Sequence, residues 1–288
     1  MFPDSVFYIA KKEFIDNVRN KWIIIMTILF AALAILASYA GSIFGSGWQD
    51  LAGTMSAMSG LVRYLISIIA LILGYSAIIG EIEKGSMNSL LSLPTTRKEI
   101  LTGKIIGLGT VITFSILVGF GIAGIIIGLN VENVNYGEYL FFIISSIFMG
   151  LIFLVIGLLL SIVLKKRSTA MGAAIFVWVL FAIIWIFIVG AIIIASGSIQ
   201  TDEEYSQDVE IDFPDAYWVS SFFNPLDSYS AFVTLNIESI SSAQGSQFEI
   251  LGITSPDYYN STNMLISMLA WFFTPLVLAY WRFEKREI

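Results

Sequence analysis

Six uncharged apolar stretches recur along the chain, at about 22–44, 64–80, 105–131, 139–164, 168–201 and 258–281, with polar sequence between them. A helix crossing the hydrocarbon core needs roughly 17–25 apolar residues, so the pattern predicts six transmembrane helices. The second is the shortest, and Leu61 and Val62 extend it if the Arg63 guanidinium snorkels to the interface. Ahead of the first run, Phe7, Ala10, Phe14 and Val18 recur at helical spacing with Ile15 beside them, among Lys11, Lys12, Arg19 and Lys21. Residues 1–21 therefore read as an amphipathic helix lying in the membrane interface, with Trp22 at the boundary. The apolar run from Trp22 to Tyr39 is too long for the core of a cleavable signal peptide.

Between the second and third runs, Glu81–Lys104 concentrates seven charges in 24 residues. Met87, Leu90 and Leu91 fall at i, i+3 and i+4, which predicts a short helix with one apolar face. Pro94 stops it, because proline has no N–H and biases Leu93 towards extended geometry. Thr96 followed by Glu99 is a capping box, which starts the next helix and leads it into the third run. A short amphipathic helix fixed between two spans is a handle that another protein can push; an ordinary solvated loop has the same spacing.

Composition agrees with a membrane protein. The 288-residue chain is 57% hydrophobic and 13% charged, with a mean hydropathy of +0.84, whereas soluble domains carry about 25% charged residues. Charge also orients it. In a six-span arrangement 14 of the 15 basic residues fall on one side, Arg63 alone on the other. By the positive-inside rule that side is cytoplasmic, with both termini. Fourteen of the 22 acidic residues fall on the opposite, outer side.

The segment boundaries follow: 1–21 interfacial helix, 22–196 five spans with the 81–104 loop, 197–262 outer segment, 263–281 sixth span, 282–288 cytoplasmic tail. The 41–60 stretch, rich in Gly and Ser with Asp50 its single acid, reads as an external loop. Arg63 then snorkels outward or pairs with Asp50; the alternative is a functional site, since ionisable groups in membranes are costly. Gly103/Gly107 and Gly124/Gly128 have the small-xxx-small spacing that lets helices approach closely. Residues 197–262 hold eleven acids, no base and eleven aromatics, among them Tyr217, Trp218, Phe222 and Phe223. After the Asn224-Pro225 break, Leu226, Tyr229, Phe232 and Val233 have helical spacing, which predicts a small, partly helical cap on the outer ends of the spans. Asp202-Glu203-Glu204 reads as a solvated face or, alternatively, a calcium site, though without EF-hand spacing. Asn260-Ser261-Thr262 is a glycosylation sequon on the outer side.

The loop also carries a resemblance. Glu81, Glu83, Gly85, Ser86, Leu90, Leu91, Pro94, Arg97, Gly103 and Lys104 resemble the first cytoplasmic loop of ABC-2-type transporter permeases. The chain departs from that pattern at Asn88, where the family often has an acid. Asn224-Pro225-Leu226-Asp227 resembles a feature of the subgroup associated with maturation of copper enzymes. The resemblance implies an all-α polytopic protein with an N-terminal connecting helix, six spans, a coupling helix between helices 2 and 3, and a small acidic extracellular region between helices 5 and 6. It implies that Glu81, Glu83, Gly85, Ser86, Met87, Leu90, Leu91, Pro94 and Arg97 meet an ABC ATPase subunit. It further implies two ATPase copies, a second permease copy (a homodimer, or a related permease) and export of a substrate across the cell membrane.

Several chemistries are excluded. No Gly-x-x-x-x-Gly-Lys-Ser/Thr loop is present, so any ATP dependence must come from a second polypeptide; the resemblance implies Mg-ATP in a partner ATPase and no cofactor in this chain. There is no cysteine and no histidine, which removes thiolate metal sites and the commonest general base. The spans lack the carboxylates that ion-coupled pumps and intramembrane aspartyl proteases require. The chain is therefore not an enzyme by itself. A membrane scaffold presenting the acidic segment to an external partner, or a passive channel, are the other readings; nucleic acid is not an expected partner.

Overall fold

The computed structural model describes residues 4–19, 51–87, 94–130, 135–196, 213–241 except 239, and 255–286, with scattered positions between 24 and 39. Among them there is no β-strand. Five helices are long and apolar enough to cross a membrane: Met58–Glu83, Arg97–Ile126, Tyr136–Val163, Arg167–Ala195 and Ser261–Glu284. They correspond to the second to sixth predicted spans; about half of the first predicted span, 22–44, lies outside the described residues.

The elements are α1 (Asp4–Val18), α2 (Leu51–Leu61), α3 (Ser67–Ser76), α4 (Ile79–Glu83), α5 (Arg97–Asn130), α6 (Tyr136–Val163), α7 (Arg167–Val179), α8 (Trp185–Ala195), α9 (Asp215–Ser220), α10 (Pro225–Asn236) and α11 (Ser261–Glu284). A π-helical turn, Val62–Ile66, joins α2 to α3, and another, Leu180–Ile184, joins α7 to α8. The predicted external loop 41–60 is corrected here: from Leu51 onward it is helix. Its small residues lower the hydropathy without preventing helix formation.

Caps start the helices where polar residues meet apolar runs. The Asn135 side chain accepts from the N–H groups of Gly137 and Glu138 at the start of α6, and Glu138 sits in the first turn, where the helix dipole favours an acid. Asn260, the sequon asparagine, caps α11 by accepting from Asn263 N–H at 3.0 Å, while its amide donates to the Asp257 carbonyl.

Helix α6 is the central post and packs against α3, α5, α7, α10 and α11. In its most apolar window 67% of residues are buried, against 11% in Arg167–Ala195, whose flank faces outward. The crossing of α3 and α6 is a backbone contact: a Cβ on Gly74 would lie 2.4 Å from the Leu154 carbonyl oxygen, and one on Gly157 2.8 Å from that of Leu71. Gly103 and Gly107 do allow close helix approach, but to α1, where added Cβ atoms would collide with Ile9 and with Ala10 and Glu13. Gly124 and Gly128 instead make room for the rings of Tyr139 and Tyr136.

Two expectations change. Helix α1 buries Val6, Ile9, Ala10 and Glu13; of the predicted stripe Ala10 is buried, Phe14 and Val18 are half-buried and Phe7 is exposed. Gly103 and Gly107 let the backbone and Cβ atoms of α1 come up against α5 at Ile9, Ala10 and Glu13, which sets the face that is buried. In the predicted cap, α10 buries Leu226, Tyr229, Phe232 and Val233 as expected. The pair α9–α10, however, sits among the spans instead of on their ends. Trp271 Nε1–H donates to the Phe222 carbonyl, and Trp271 is ten residues, about 15 Å of helix, below Ser261. Residues 197–212 and 242–254, with Asp202-Glu203-Glu204, lie outside the described residues.

Candidate functional site

The 81–104 stretch begins where α3 breaks. The backbone N–H groups of Ile78 and Ile79 donate to Ser161 Oγ of α6 at 3.0 and 2.9 Å, which satisfies donors freed at the break. Helix α4 then ends at Gly85, whose φ of +74° is a left-handed conformation suited to glycine. Ser86 Oγ–H returns to the Glu81 carbonyl, and Met87 is buried in the core. Leu90 and Leu91, with Asn88, lie outside the described residues, so the predicted Met87–Leu90–Leu91 face is followed only at Met87. Beyond Pro94, the capping box forms as spelled in the sequence: Thr96 N–H donates to Glu99 Oε2 at 2.9 Å and Glu99 N–H to Thr96 Oγ1 at 3.3 Å.

Glu81, Glu83, Arg97, Lys98 and Lys104 tie the stretch to the rest of the bundle. Lys104, fully buried, lies 2.6 Å from Glu13 of α1 and 2.9 Å from Glu81. Lys12 adds a looser contact to Glu81 at 3.8 Å. Glu83 Oε1 accepts the Arg167 N–H at 2.7 Å, standing in for the side-chain cap that α7 lacks. Arg97 Nη1 donates to the carbonyls of Phe283 and Glu284 at 3.1 and 3.3 Å and also to that of Arg286, closing the end of α11. Lys98 pairs with Glu284 at 3.0 Å, and Thr102 and Tyr280 share a hydroxyl contact of 2.7 Å. Arg286 in turn donates to the carbonyls of Ser161, Ile162 and Leu164. Burial pulls its guanidinium below the ordinary arginine value, and neighbouring Arg282 adds to the effect.

Glu81, Glu83, Ser86, Met87, Arg97 and Lys104 are thus all engaged, through separate contacts. Glu13, Ser161 and Arg286 complete the arrangement, and sequence reasoning missed them. Glu13 carried one signal, its place one turn beyond Ile9; a serine within an apolar span and an arginine in a basic tail carried none. Such a ring has no chemistry of its own. It makes the stretch stiff and joins it to α1, α5, α6, α7 and α11 at once. Among the described residues, no three His, Cys, Asp or Glu side chains gather to hold a metal ion.

Residues 7–288 match the ABC-2 family transporter proteins. The chain belongs to the ABC-2-type transporter permease family. It is 31% identical, over 98% of its length and 99% of the relative's, to a probable ABC transporter permease protein NosY of Stutzerimonas stutzeri. It is 32% identical to a probable ABC transporter permease protein NosY of Pseudomonas aeruginosa, over 66% of this chain and 72% of that one.

This ABC-2 permease chain has a second polar locus, far from the ring. Arg63, in the first π turn, pairs with Asp227 at the start of α10, a partner the sequence did not suggest; Asp50, the expected one, lies outside the described residues. Asp227 belongs to the acidic segment by sequence, and the insertion of α9–α10 carries it into the bundle. Asn224 caps α10 by accepting from Leu226 N–H at 2.9 Å, and Pro225 follows at the first helical position, where its missing N–H costs nothing.

Proposed function

We propose that the chain is the permease subunit of an ATP-driven ABC exporter, with 81–104 the element that receives the movement of a separate ATPase. The observation that carries this reading is the ring: Glu81, Glu83, Arg97 and Lys104 attach the stretch to α1, α7 and α11, so a push on it moves several spans together. The ATPase, two copies of it, supplies Mg-ATP binding and hydrolysis. Two permease copies form the path, rocking between inward- and outward-facing states. The basic end faces the cytoplasm with both termini, and Leu90 and Leu91 sit in a groove of the ATPase, while Met87, buried in the permease core, anchors the stretch to the bundle.

Losing a leucine from such a groove removes about 1.5–3 kcal/mol of contact. In the reconstituted permease–ATPase complex, Leu90→Asp is therefore expected to uncouple hydrolysis while the permease inserts and folds normally. Full substrate-stimulated hydrolysis in the Leu90→Asp complex refutes the coupling assignment.

A further inference from the structure

Several basic residues that the ring leaves out gather where α6 and α11 end side by side. We propose that these two helix ends bind the headgroup phosphate of an anionic phospholipid, with Lys165, Lys166, Arg282 and Lys285 around the phosphate and the acyl chains on the exposed face of α11. The inference takes only its leaflet, the cytoplasmic one, from the reading above.

Arg286 brings the two ends together. Its Nη1 donates to the carbonyls of Ser161 and Ile162 at 2.8 and 2.6 Å, and its Nη2 to that of Leu164 at 3.0 Å. The last carbonyls of a helix carry partial negative charge, which repels an anion, and the guanidinium covers those of α6. Lys165 and Lys166 follow Leu164 directly in the chain. Arg282 stands four residues before Arg286, near enough for the two guanidinium groups to repel each other. The neighbouring acids are engaged elsewhere: Glu284 pairs with Lys98 at 3.0 Å, and Glu83 accepts the Arg167 N–H at 2.7 Å. Glu287 lies outside the described residues. Among the described residues, no acid lies within salt-bridge distance of Lys165, Lys166 or Arg282, and all three are exposed.

Helix α11 supplies the apolar part. Lys285 Nζ lies 4.3 Å from the centre of the Trp281 ring. Trp281 is exposed, and so are Val277 and Leu278 one turn deeper. From Val277 to Lys285 the helix rises about 12 Å, and along that length its surface passes from aliphatic side chains through an indole to bases. A phospholipid presents the same order, chains, then glycerol, then phosphate, and tryptophan favours the level of the glycerol. Sorting of bases to one side of the membrane needs no such gathering. At the same end Lys12 and Lys104 pair with Glu81, and Lys98 with Glu284. A basic cluster between spans at this level, uncompensated by acids, suits an anionic headgroup.

The test counts lipids bound to the purified chain by native mass spectrometry from a neutral detergent, with phosphatidylglycerol and phosphatidylcholine of the same acyl chains as probes. One phosphatidylglycerol should bind at least about tenfold more tightly than phosphatidylcholine, since each base near an anionic headgroup adds about fivefold. Equal binding of the two lipids overturns the proposal, and this arm needs no variant. Lys165→Gln, Lys166→Gln and Arg282→Gln together should abolish the preference. The same loss of charge at Lys11, Arg19 and Lys84, exposed bases at the same end, should keep it; equal losses in the two triple variants reduce the effect to net charge and overturn the site. Arg282→Gln alone should weaken phosphatidylglycerol by about fivefold, which holds the assignment to account if the triple variant does not fold. Glycerol 3-phosphate in large excess, a phosphate without acyl chains, should leave the lipid in place; displacement assigns the bases to a soluble phosphate instead. Assembly with the ATPase should also leave it in place, and release on assembly gives the surface to the ATPase and overturns the lipid. A chain that assembles with no ATPase fails the permease reading alone, and the lipid arms stand without it.

Discussion

Lys104 shows how much one residue can carry. Its ammonium is fully buried between Glu13 and Glu81, so removing it strands two acids. Lys104→Met is expected to destabilise the protein by about 3–5 kcal/mol, the usual cost of breaking a buried pair from one side. Lys98→Ala, which removes an exposed contact to Glu284, should change stability by about 1 kcal/mol or less. Thermal unfolding of the two variants in the same detergent separates them; equal shifts would mean that Lys104 is not the hub. Glu81 and Lys104 were legible because they belong to a recognisable pattern. Glu13 was not, since a search for apolar periodicity passes over the one polar member of a buried stripe. Arg63 shows the same limit: Asp50 is near in sequence, whereas Asp227 is 164 positions away, and only the tertiary fold joins them.

At the scale of helices, glycines decide which faces meet. A Cβ on Gly107 would lie 2.7 Å from the backbone oxygen of Ala10, which cannot rotate away. Gly107→Ala should therefore lift α1 from α5 and cost about 1–3 kcal/mol, the range for overpacking. Gly172, inside α7, has open space at its Cβ position, so Gly172→Ala should be neutral or stabilise by up to about 1 kcal/mol through helix propensity. Melting temperatures of the pair test this, and a larger loss at Gly172 than at Gly107 would contradict the α1–α5 packing. The spans Met58–Glu83 to Ser261–Glu284 were readable from their apolar runs, and α5 even from its capping box. Helix α2 was hidden by its Gly, Ser and Thr content, which resembles a loop in composition. The depth of α9–α10 was hidden for the opposite reason: the charge of its flanks suggested water, while Trp218, Leu226 and Tyr229 are buried.

Across the whole molecule, the division of basic residues makes a prediction about sidedness. Single cysteines replacing Asp208 and Lys285 should react from outside and inside the cell respectively; the reverse pattern would invert the orientation and with it the assignment of 81–104 to the ATPase. The movement proposed for such a bundle also needs somewhere to turn. Most helix crossings interlock like gears, ridge into groove, and resist rolling. Where Gly74 of α3 meets Gly157 of α6, no side chain from either glycine stands between the two backbones, and the contact there is smooth. Nearby, however, the N–H groups of Ile78 and Ile79 are tied to Ser161 Oγ of α6, the central post, so α3 and α6 turn together and a force applied at the ring crosses this contact whole.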